Sequence, residues 1–178
     1  GLSDTAIFLA VTRILIDEKL YDEPFVKRFT DFPLLVRTDT LKRLRPEEVF
    51  PDYQLRELSV SFSQQGLTEE QRERIGDFVV YDLASETFQA IGREDIGTNL
   101  NLDPAIDGRF TVETLDGKTV EVMPILEMYR IHLDEYTPEM AEEISSAPAD
   151  KIRELANDLA TIKPAAIHYG EGVNHYFH

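Results

Sequence analysis

Side chains able to bind a ligand are concentrated in the stretch HYGEGVNHYFH (168–178). Gly170 and Gly172 have no side chain, so the backbone there can approach a ligand closely or adopt a positive φ. Asn174 and His175 supply hydrogen-bond donors and acceptors that suit the edge of a heterocycle. An ordinary surface turn explains the same residues, and the pattern alone leaves both interpretations open.

Metal-dependent hydrolysis is a second hypothesis for this stretch. Its ligands would be His168, His175 and His178, with Glu171 between the first two. The spacing of these residues matches none of the common metal-binding motifs. We therefore assign no metal ligand in the sequence.

Carboxylates are abundant, and neighbouring pairs are candidates for general acid and base catalysis. Adjacent residues on a helix point in different directions, so we interpret these pairs as a solvated acidic surface. The pairs are Glu47 and Glu48, Glu69 and Glu70, Asp134 and Glu135, and Glu142 and Glu143.

A loop rich in Asp and Asn resembles a calcium loop only in composition, because it lacks the spacing and the terminal Glu of an EF-hand. Its residues are Asp95, Asn99, Asn101, Asp103 and Asp107. Ser59, Ser61 and Ser63 have no triad context, and no P-loop or dinucleotide fingerprint occurs. The sequence predicts no catalytic residue.

Composition limits the class of protein. A chain of 178 residues with 42% hydrophobic residues suits one domain or one lobe of a larger protein. The net charge of −16 repels a phosphate backbone and argues against a nucleic-acid partner. The absence of cysteine excludes disulfides, thiolate zinc sites and iron–sulfur ligation within this chain.

Residues 1–37 predict a helical start. Helical spacing after Ser3 predicts a first helix, and a second, short helix follows around Pro24. The apolar residues at helical spacing in the first helix are Ile7, Phe8, Val11, Ile14 and Leu15. In the second helix, Phe25, Val26 and Phe29 are predicted to point inward. A short buried strand is predicted over 34–38.

Residues 38–124 predict a hairpin-rich insertion. One hairpin joins DFVVYD (77–82) to TFQAI (87–91). A second joins two alternating strands through a predicted type I′ turn at Asp116-Gly117. The stretch QGLTEEQRERIGD (65–77) predicts a short charged helix.

Residues 125–178 predict helices, a strand and a glycine loop. Helices start near Ile125, at Thr137-Pro138 and at Pro148, and a buried strand, AAIHY (165–169), leads into the loop. We therefore predict an α/β fold (α+β in detail), with helices flanking a small sheet and an inserted β-hairpin block in a single lobe. In open α/β sheets, ligands bind where strands end in loops.

Two ordered stretches carry a family resemblance. SDTAIFLAVTRILIDEKLYDEPFVKRFTD (3–31) and YTPEMAEEISSAPADKIRELANDLATIKPAAIHYGEGVNHYFH (136–178) resemble the molybdopterin oxidoreductase family that includes dimethyl sulfoxide reductase. Segments 30–50, 76–91 and 103–136 are similar to its nitrate reductase branch. The ending IHYGEGVNHYFH resembles the nitrate and nitrite members.

The resemblance implies an internal fragment of a catalytic subunit, inactive alone. It implies a parent with molybdenum held by two molybdopterin guanine dinucleotides (bis-MGD), a nearby iron–sulfur cluster and an iron–sulfur electron-transfer subunit. The isolated chain would bind none of these. The loop after KPAAI lies against the pterin in the family, which implies cofactor contacts at Gly170, Glu171, Gly172, Asn174 and His175.

Two alternatives remain beside this reading: the hydrolase above, and a free-standing binding module derived from the family. A fragment that exposes its AAIHY strand is expected to self-associate. The sequence leaves open the substrate, the direction of the redox reaction, and a prokaryotic cytoplasmic or periplasmic location, soluble or attached to a membrane through partner subunits.

Overall fold

The computed structural model describes residues 3–54, 77–92, 95 and 101–167. The chain divides into a helical unit, Gly1–Tyr21 with Arg130–His178, and a sheet unit, Asp22–Tyr129. Helices and antiparallel strands both occur, which confirms the predicted mixed α/β class. The division of a single lobe after residues 37 and 124 stays a prediction.

The elements in chain order are α1 (Asp4–Asp17), α2 (Glu23–Phe29), β1 (Leu35–Arg37), α3 (Pro46–Val49), β2 (Phe78–Asp82), β3 (Thr87–Ile91), β4 (Phe110–Glu113), β5 (Thr119–Pro124), α4 (Ile125–His132), α5 (Pro138–Ser145) and α6 (Ala149–Thr161). Over the parts of the chain that the structure describes, no helix has the length and hydropathy needed to cross a bilayer.

The helical unit is built on small side chains. α1 packs against both α5 and α6, and alanines in the contact allow the helices to approach closely. The buried core consists of Ala6, Ala10, Val11, Ile14, Ala141, Ile152 and Ala156. The predicted helix start at Thr137-Pro138 is confirmed, because the Thr137 hydroxyl accepts a hydrogen bond from the Met140 N–H at 3.0 Å.

The sheet unit contains a three-stranded antiparallel sheet in the order β1-β5-β4 and the separate hairpin β2-β3. Both predicted hairpins are confirmed, with Val80 opposite Gln89 in one and Val112 opposite Val120 in the other. β1 lies beside β5, where Leu35 faces Pro124. Alternation along these strands buries one main apolar cluster, consisting of Leu35, Leu44, Val79, Val112, Val120 and Val122.

The predicted type I′ turn between β4 and β5 is wrong. The Gly117 N–H donates to the Thr114 carbonyl and the Thr114 N–H donates to the Lys118 carbonyl, each at 2.8 Å. Among the loop residues only Gly117 has a positive φ, +79°. A type I′ turn needs positive φ at both central residues, whereas a longer loop needs it only at its glycine.

The inward orientation predicted for Phe25 and Phe29 is also wrong. Both are exposed on α2, which has no buried residue at all. Helical spacing identifies an apolar face but does not say which structure covers it.

The strand predicted over 165–169 is not found in its described part. Ala165, Ala166 and Ile167 are exposed and form no regular element. A strand requires a neighbour for its backbone hydrogen bonds, and no described strand pairs with these residues. The charged helix predicted over 65–77 falls almost entirely outside the described residues.

Candidate functional site

The predicted cofactor-contacting residues lie outside the part of the chain that the structure describes. They are Gly170, Glu171, Gly172, Asn174 and His175, and the histidines of the hydrolase hypothesis lie there too. The described chain approaching them leaves α6 at Thr161, whose hydroxyl donates to the Asn157 carbonyl at 2.8 Å. It continues with Ile162 and Ile167, 61% and 55% exposed.

The Asp- and Asn-rich loop does not gather its carboxylates around one point. Asp103 accepts a hydrogen bond from the Lys27 ammonium at 2.7 Å, whereas Asp95 accepts one from the Gly92 N–H at 2.8 Å. Across the described ranges, no group of three or more His, Cys, Asp or Glu side chains is arranged to hold a metal ion.

Two described members of the acidic pairs, Glu48 and Glu142, make structural contacts. Glu48 accepts from the Arg45 N–H at 2.8 Å at the start of α3 and from the Arg37 guanidinium at 2.5 Å. Hydrogen bonds to Asp39 and Glu48 raise the pKa of Arg37 and keep it charged. Glu142 accepts from the Ala149 N–H at 2.9 Å, which joins α5 to α6. These contacts favour a structural role over acid–base catalysis.

A cavity of about 620 Å³ lies within the sheet unit, beside α2. Apolar side chains line part of it, among them the buried Leu34 and Val80. Charged side chains of α2 and of the loop after β3 line the rest, including Lys27 and Asp103. A cavity of this size and mixed lining is within the range of small-molecule sites.

Lys27 is a cation of this cavity that two carboxylates hold in place. Its ammonium lies 2.7 Å from the Asp103 carboxylate and 2.9 Å from that of Glu23, and its side chain is only 15% exposed. Burial by itself would lower the pKa of Lys27, but the hydrogen bonds to Asp103 and Glu23 outweigh it and raise the pKa. Lys27 is therefore a protonated structural cation rather than a general base.

Asp82 is a buried carboxylate that the sequence analysis missed. It accepts hydrogen bonds from the Ser85 N–H at 3.0 Å, the Ser85 hydroxyl at 2.6 Å and the Asp103 N–H at 2.7 Å. Burial would raise the pKa of Asp82, but these hydrogen bonds outweigh it and lower the pKa. In the sequence, only the Asp-x-x-Ser spacing of residues 82–85 indicates the hydrogen bonds from Ser85 to Asp82.

The arrangement supports binding and scaffolding rather than catalysis. Lys27 and Asp103 are paired with each other inside the unit, and Asp82 holds the loop that carries Asp103. We therefore assign no catalytic residue among the described residues.

The chain is similar in sequence to segments of much longer proteins. No protein-family model matches the chain. It is 33% identical to the perchlorate reductase subunit alpha of Dechloromonas aromatica, over 99% of this chain and 20% of that protein. It is 31% identical to the respiratory nitrate reductase subunit alpha of Haloferax mediterranei, over 99% of this chain and 17% of that protein.

A third relative, dopamine dehydroxylase of Eggerthella lenta, is 27% identical over 96% of this chain and 22% of its own length. The chain thus spans about a fifth of the length of the curated relatives it matches. The similarity covers both resembling stretches and everything between them. The resemblance is confirmed: the chain is related, along nearly its whole length, to a segment of the alpha subunits of molybdopterin oxidoreductases of the dimethyl sulfoxide reductase superfamily.

Proposed function

We propose that this chain is a segment of the catalytic subunit of a molybdenum-dependent oxidoreductase. The observation that carries the proposal is the continuous similarity to alpha subunits over 99% of the chain. A segment of about a fifth of such a subunit contributes structure to a site that other segments complete. We therefore propose that it has no turnover by itself.

We further propose that the parent is of the nitrate reductase or nitrite oxidoreductase type, and that it transfers an oxygen atom between nitrate and nitrite with coupled electron transfer. The resemblance of IHYGEGVNHYFH to the nitrate and nitrite members supports this, as does the similarity to a respiratory nitrate reductase subunit. Perchlorate is the competing substrate, because a perchlorate reductase subunit matches the same 99% of this chain at 33% identity.

The cofactor implied by this family is a molybdenum bis-MGD group, accompanied by an iron–sulfur cluster. The described residues do not fit it as ligands, because they contain no metal-binding group of side chains and the Lys27 ammonium in the cavity beside α2 is already paired with Asp103. The residues we propose as cofactor contacts are Gly170, Glu171, Gly172, Asn174 and His175. Molybdenum would supply the redox chemistry when bound, and this chain would supply hydrogen bonds and orientation.

The proposed partners are the remainder of the catalytic subunit and an iron–sulfur electron-transfer subunit. The first experiment is to sequence the source DNA on both sides of this segment. A continuous open reading frame, with a Cys-rich cluster motif upstream, is the expected result. A start codon directly before Gly1 and a stop codon directly after His178 would overturn the fragment proposal and favour the free-standing binding module.

The second experiment tests the enzyme itself. The protein encoded by the whole reading frame should be purified and its molybdenum measured by mass spectrometry, together with the oxidation of reduced viologen by nitrate. We expect stoichiometric molybdenum and nitrate-dependent turnover. Turnover with perchlorate but not with nitrate would retain the molybdenum class and reject the nitrate type, and a metal-free protein would reject both.

Matched variants test the proposed cofactor loop. In the whole protein, Asn174→Ala is expected to lower the molybdenum content or shift the molybdenum electron-paramagnetic-resonance signal. Asn157→Ala removes the same amide from an exposed position on α6 and is expected to change neither. Identical molybdenum content and signal in the two variants would remove Asn174 from the proposed contacts.

A further inference from the structure

α2 presents an aromatic pair to its surroundings. Its sequence is EPFVKRF, and the Asp22 carboxylate fixes its first turn by accepting the Phe25 N–H at 3.0 Å. The rings of Phe25 and Phe29 stand one turn apart with their centroids separated by 5.2 Å. The two residues are 53% and 49% exposed, so half of each aromatic residue lies in solvent.

The opposite side of α2 is polar and faces its own unit. Glu23 and Lys27 line the cavity, and the Lys27 ammonium is held 2.7 Å from Asp103 in the loop after β3. Successive residues advance about 100° around a helix, so the positions of Phe25 and Phe29 lie far around the axis from Glu23 and Lys27. α2 is therefore attached through charges while its aromatic face points away.

This orientation reverses the usual amphipathic arrangement, in which the apolar face of a surface helix covers the core. Apolar side chains, among them the buried Leu34 and Val80, line part of the neighbouring cavity. The charged face of α2 borders this cavity. A contiguous exposed apolar surface is one of the features that mark protein–protein contacts.

We propose that the Phe25–Phe29 pair is an internal docking surface, covered in the parent protein by apolar residues of the same catalytic subunit that lie outside this chain. The inference rests on the proposed function, since the relatives provide about four-fifths of a subunit beyond the matched segment. It goes further by naming the surface and the chemistry of its occupant. A second subunit or a second copy of the chain are the competing occupants.

The test uses the whole catalytic subunit with p-benzoylphenylalanine incorporated in place of Phe29, and in a second preparation in place of Phe25. After irradiation, mass spectrometry identifies the crosslinked peptide. We expect a crosslink from at least one position to a peptide of the same polypeptide outside residues 1–178. Crosslinks only to another subunit, to a second copy or to residues 1–178, or no crosslink at all, would overturn the proposal.

An unmodified sample guards against an effect of the analogue on folding. Hydroxyl-radical labelling of Phe25 and Phe29 in the whole subunit is expected to be roughly tenfold slower than in the same protein unfolded in urea, because a covered ring reacts only during local opening. Labelling of both rings at the unfolded rate would contradict the proposal.

The molybdenum content of the same preparation separates the two proposals. Hydroxyl-radical labelling of both rings at the unfolded rate, in a molybdenum-loaded and active subunit, would reject the docking surface and leave the proposed function intact. Protected rings in a subunit that binds no molybdenum would reject the proposed function instead.

Discussion

The backbone N–H of Asp103 donates a hydrogen bond to the buried carboxylate of Asp82, with 2.7 Å between the nitrogen and Oδ1. Asp103 in turn holds the Lys27 ammonium at 2.7 Å. A single carboxylate at the end of β2 thus positions the loop that anchors α2, and through it one wall of the cavity.

Replacing Asp82 by Ala is expected to destabilise the sheet unit by about 2 kcal/mol, because the N–H groups of Ser85 and Asp103 lose a charged acceptor. Urea denaturation followed by circular dichroism measures the change. The control is Asp31→Ala, which removes an exposed carboxylate paired with Arg43 at 3.1 Å and is expected to cost about 0.5 kcal/mol. Equal losses in the two variants would show that the Asp82 contacts contribute nothing special.

The same carboxylate gives a dependence of stability on pH. Folding lowers the pKa of Asp82. The ionised carboxylate therefore makes its full contribution to folding stability above the ordinary carboxyl pKa, about 4. This contribution is lost as the pH falls through the lower folded pKa. The stability difference between wild type and Asp82→Asn should therefore be constant between about pH 5 and 7 and shrink below about pH 4. A difference that persists unchanged to pH 2 would argue against an ionised Asp82.

The β4–β5 loop depends on one backbone conformation. Gly117 has a φ of +79°, and a Cβ placed there would meet no atom within 4 Å. Gly117→Ala is therefore expected to cost about 1 kcal/mol through backbone strain alone. Gly117→Asn should cost less, because Asn tolerates the left-handed region. Thermal unfolding measures both, and an unchanged midpoint in the Ala variant would refute the assigned turn.

α6 offers a matched pair of positions for testing the helical core. Ile152 is fully enclosed among α1 and α5 residues, whereas Leu155, three residues later, is partly exposed. Ile152→Ala and Leu155→Ala remove the same number of carbon atoms. We expect Ile152→Ala to lower the free energy of unfolding by about 3 kcal/mol and Leu155→Ala to lower it by less than about 1 kcal/mol. Urea denaturation measures both changes. The reverse order would mean that α6 is rotated from the described orientation.

The apolar segment after α6 predicts self-association of the isolated chain. Ile162 and Ile167 are exposed with Ala165 and Ala166 between them, and exposed apolar chain favours association. Sedimentation of the double variant Ile162→Ser, Ile167→Ser should shift toward monomer. The control double variant Leu41→Ser, Leu115→Ser also removes exposed leucines but should leave the distribution unchanged. A monomeric wild-type chain would refute the prediction.

Local patterns predicted much of this fold. Strand-like runs on either side of a polar turn identified β2 and β3, alternation identified β4 and β5, and the Thr-Pro signal located the start of α5. Each of these elements is specified by neighbours within a few residues along the chain. The family resemblance was also readable, because its two stretches carry many residues in a fixed order.

Apart from the local turn type between β4 and β5, the incorrect predictions involve groups distant in sequence. Phe25 and Phe29 were placed inward because the period of a helix does not reveal what its apolar face contacts. Lys27 and Asp103 are 76 residues apart in sequence, and the composition of neither segment predicts their ion pair. The cofactor contacts at 170–175 stay a prediction, since they rest on the resemblance alone.

The two ends of the sheet unit are joined to each other. The Leu126 N–H donates to the Phe32 carbonyl at 3.1 Å, the Ile125 N–H donates to the Leu34 carbonyl at 3.0 Å, and β1 pairs with β5 beside them. The last strand of the three-stranded sheet therefore lies beside its first strand. Loops between β1 and β5 can lengthen or shorten without moving those ends, and the entropic cost of loop closure grows only slowly with length. The loops between β1 and β5 are therefore suited to the insertion of a reporter domain.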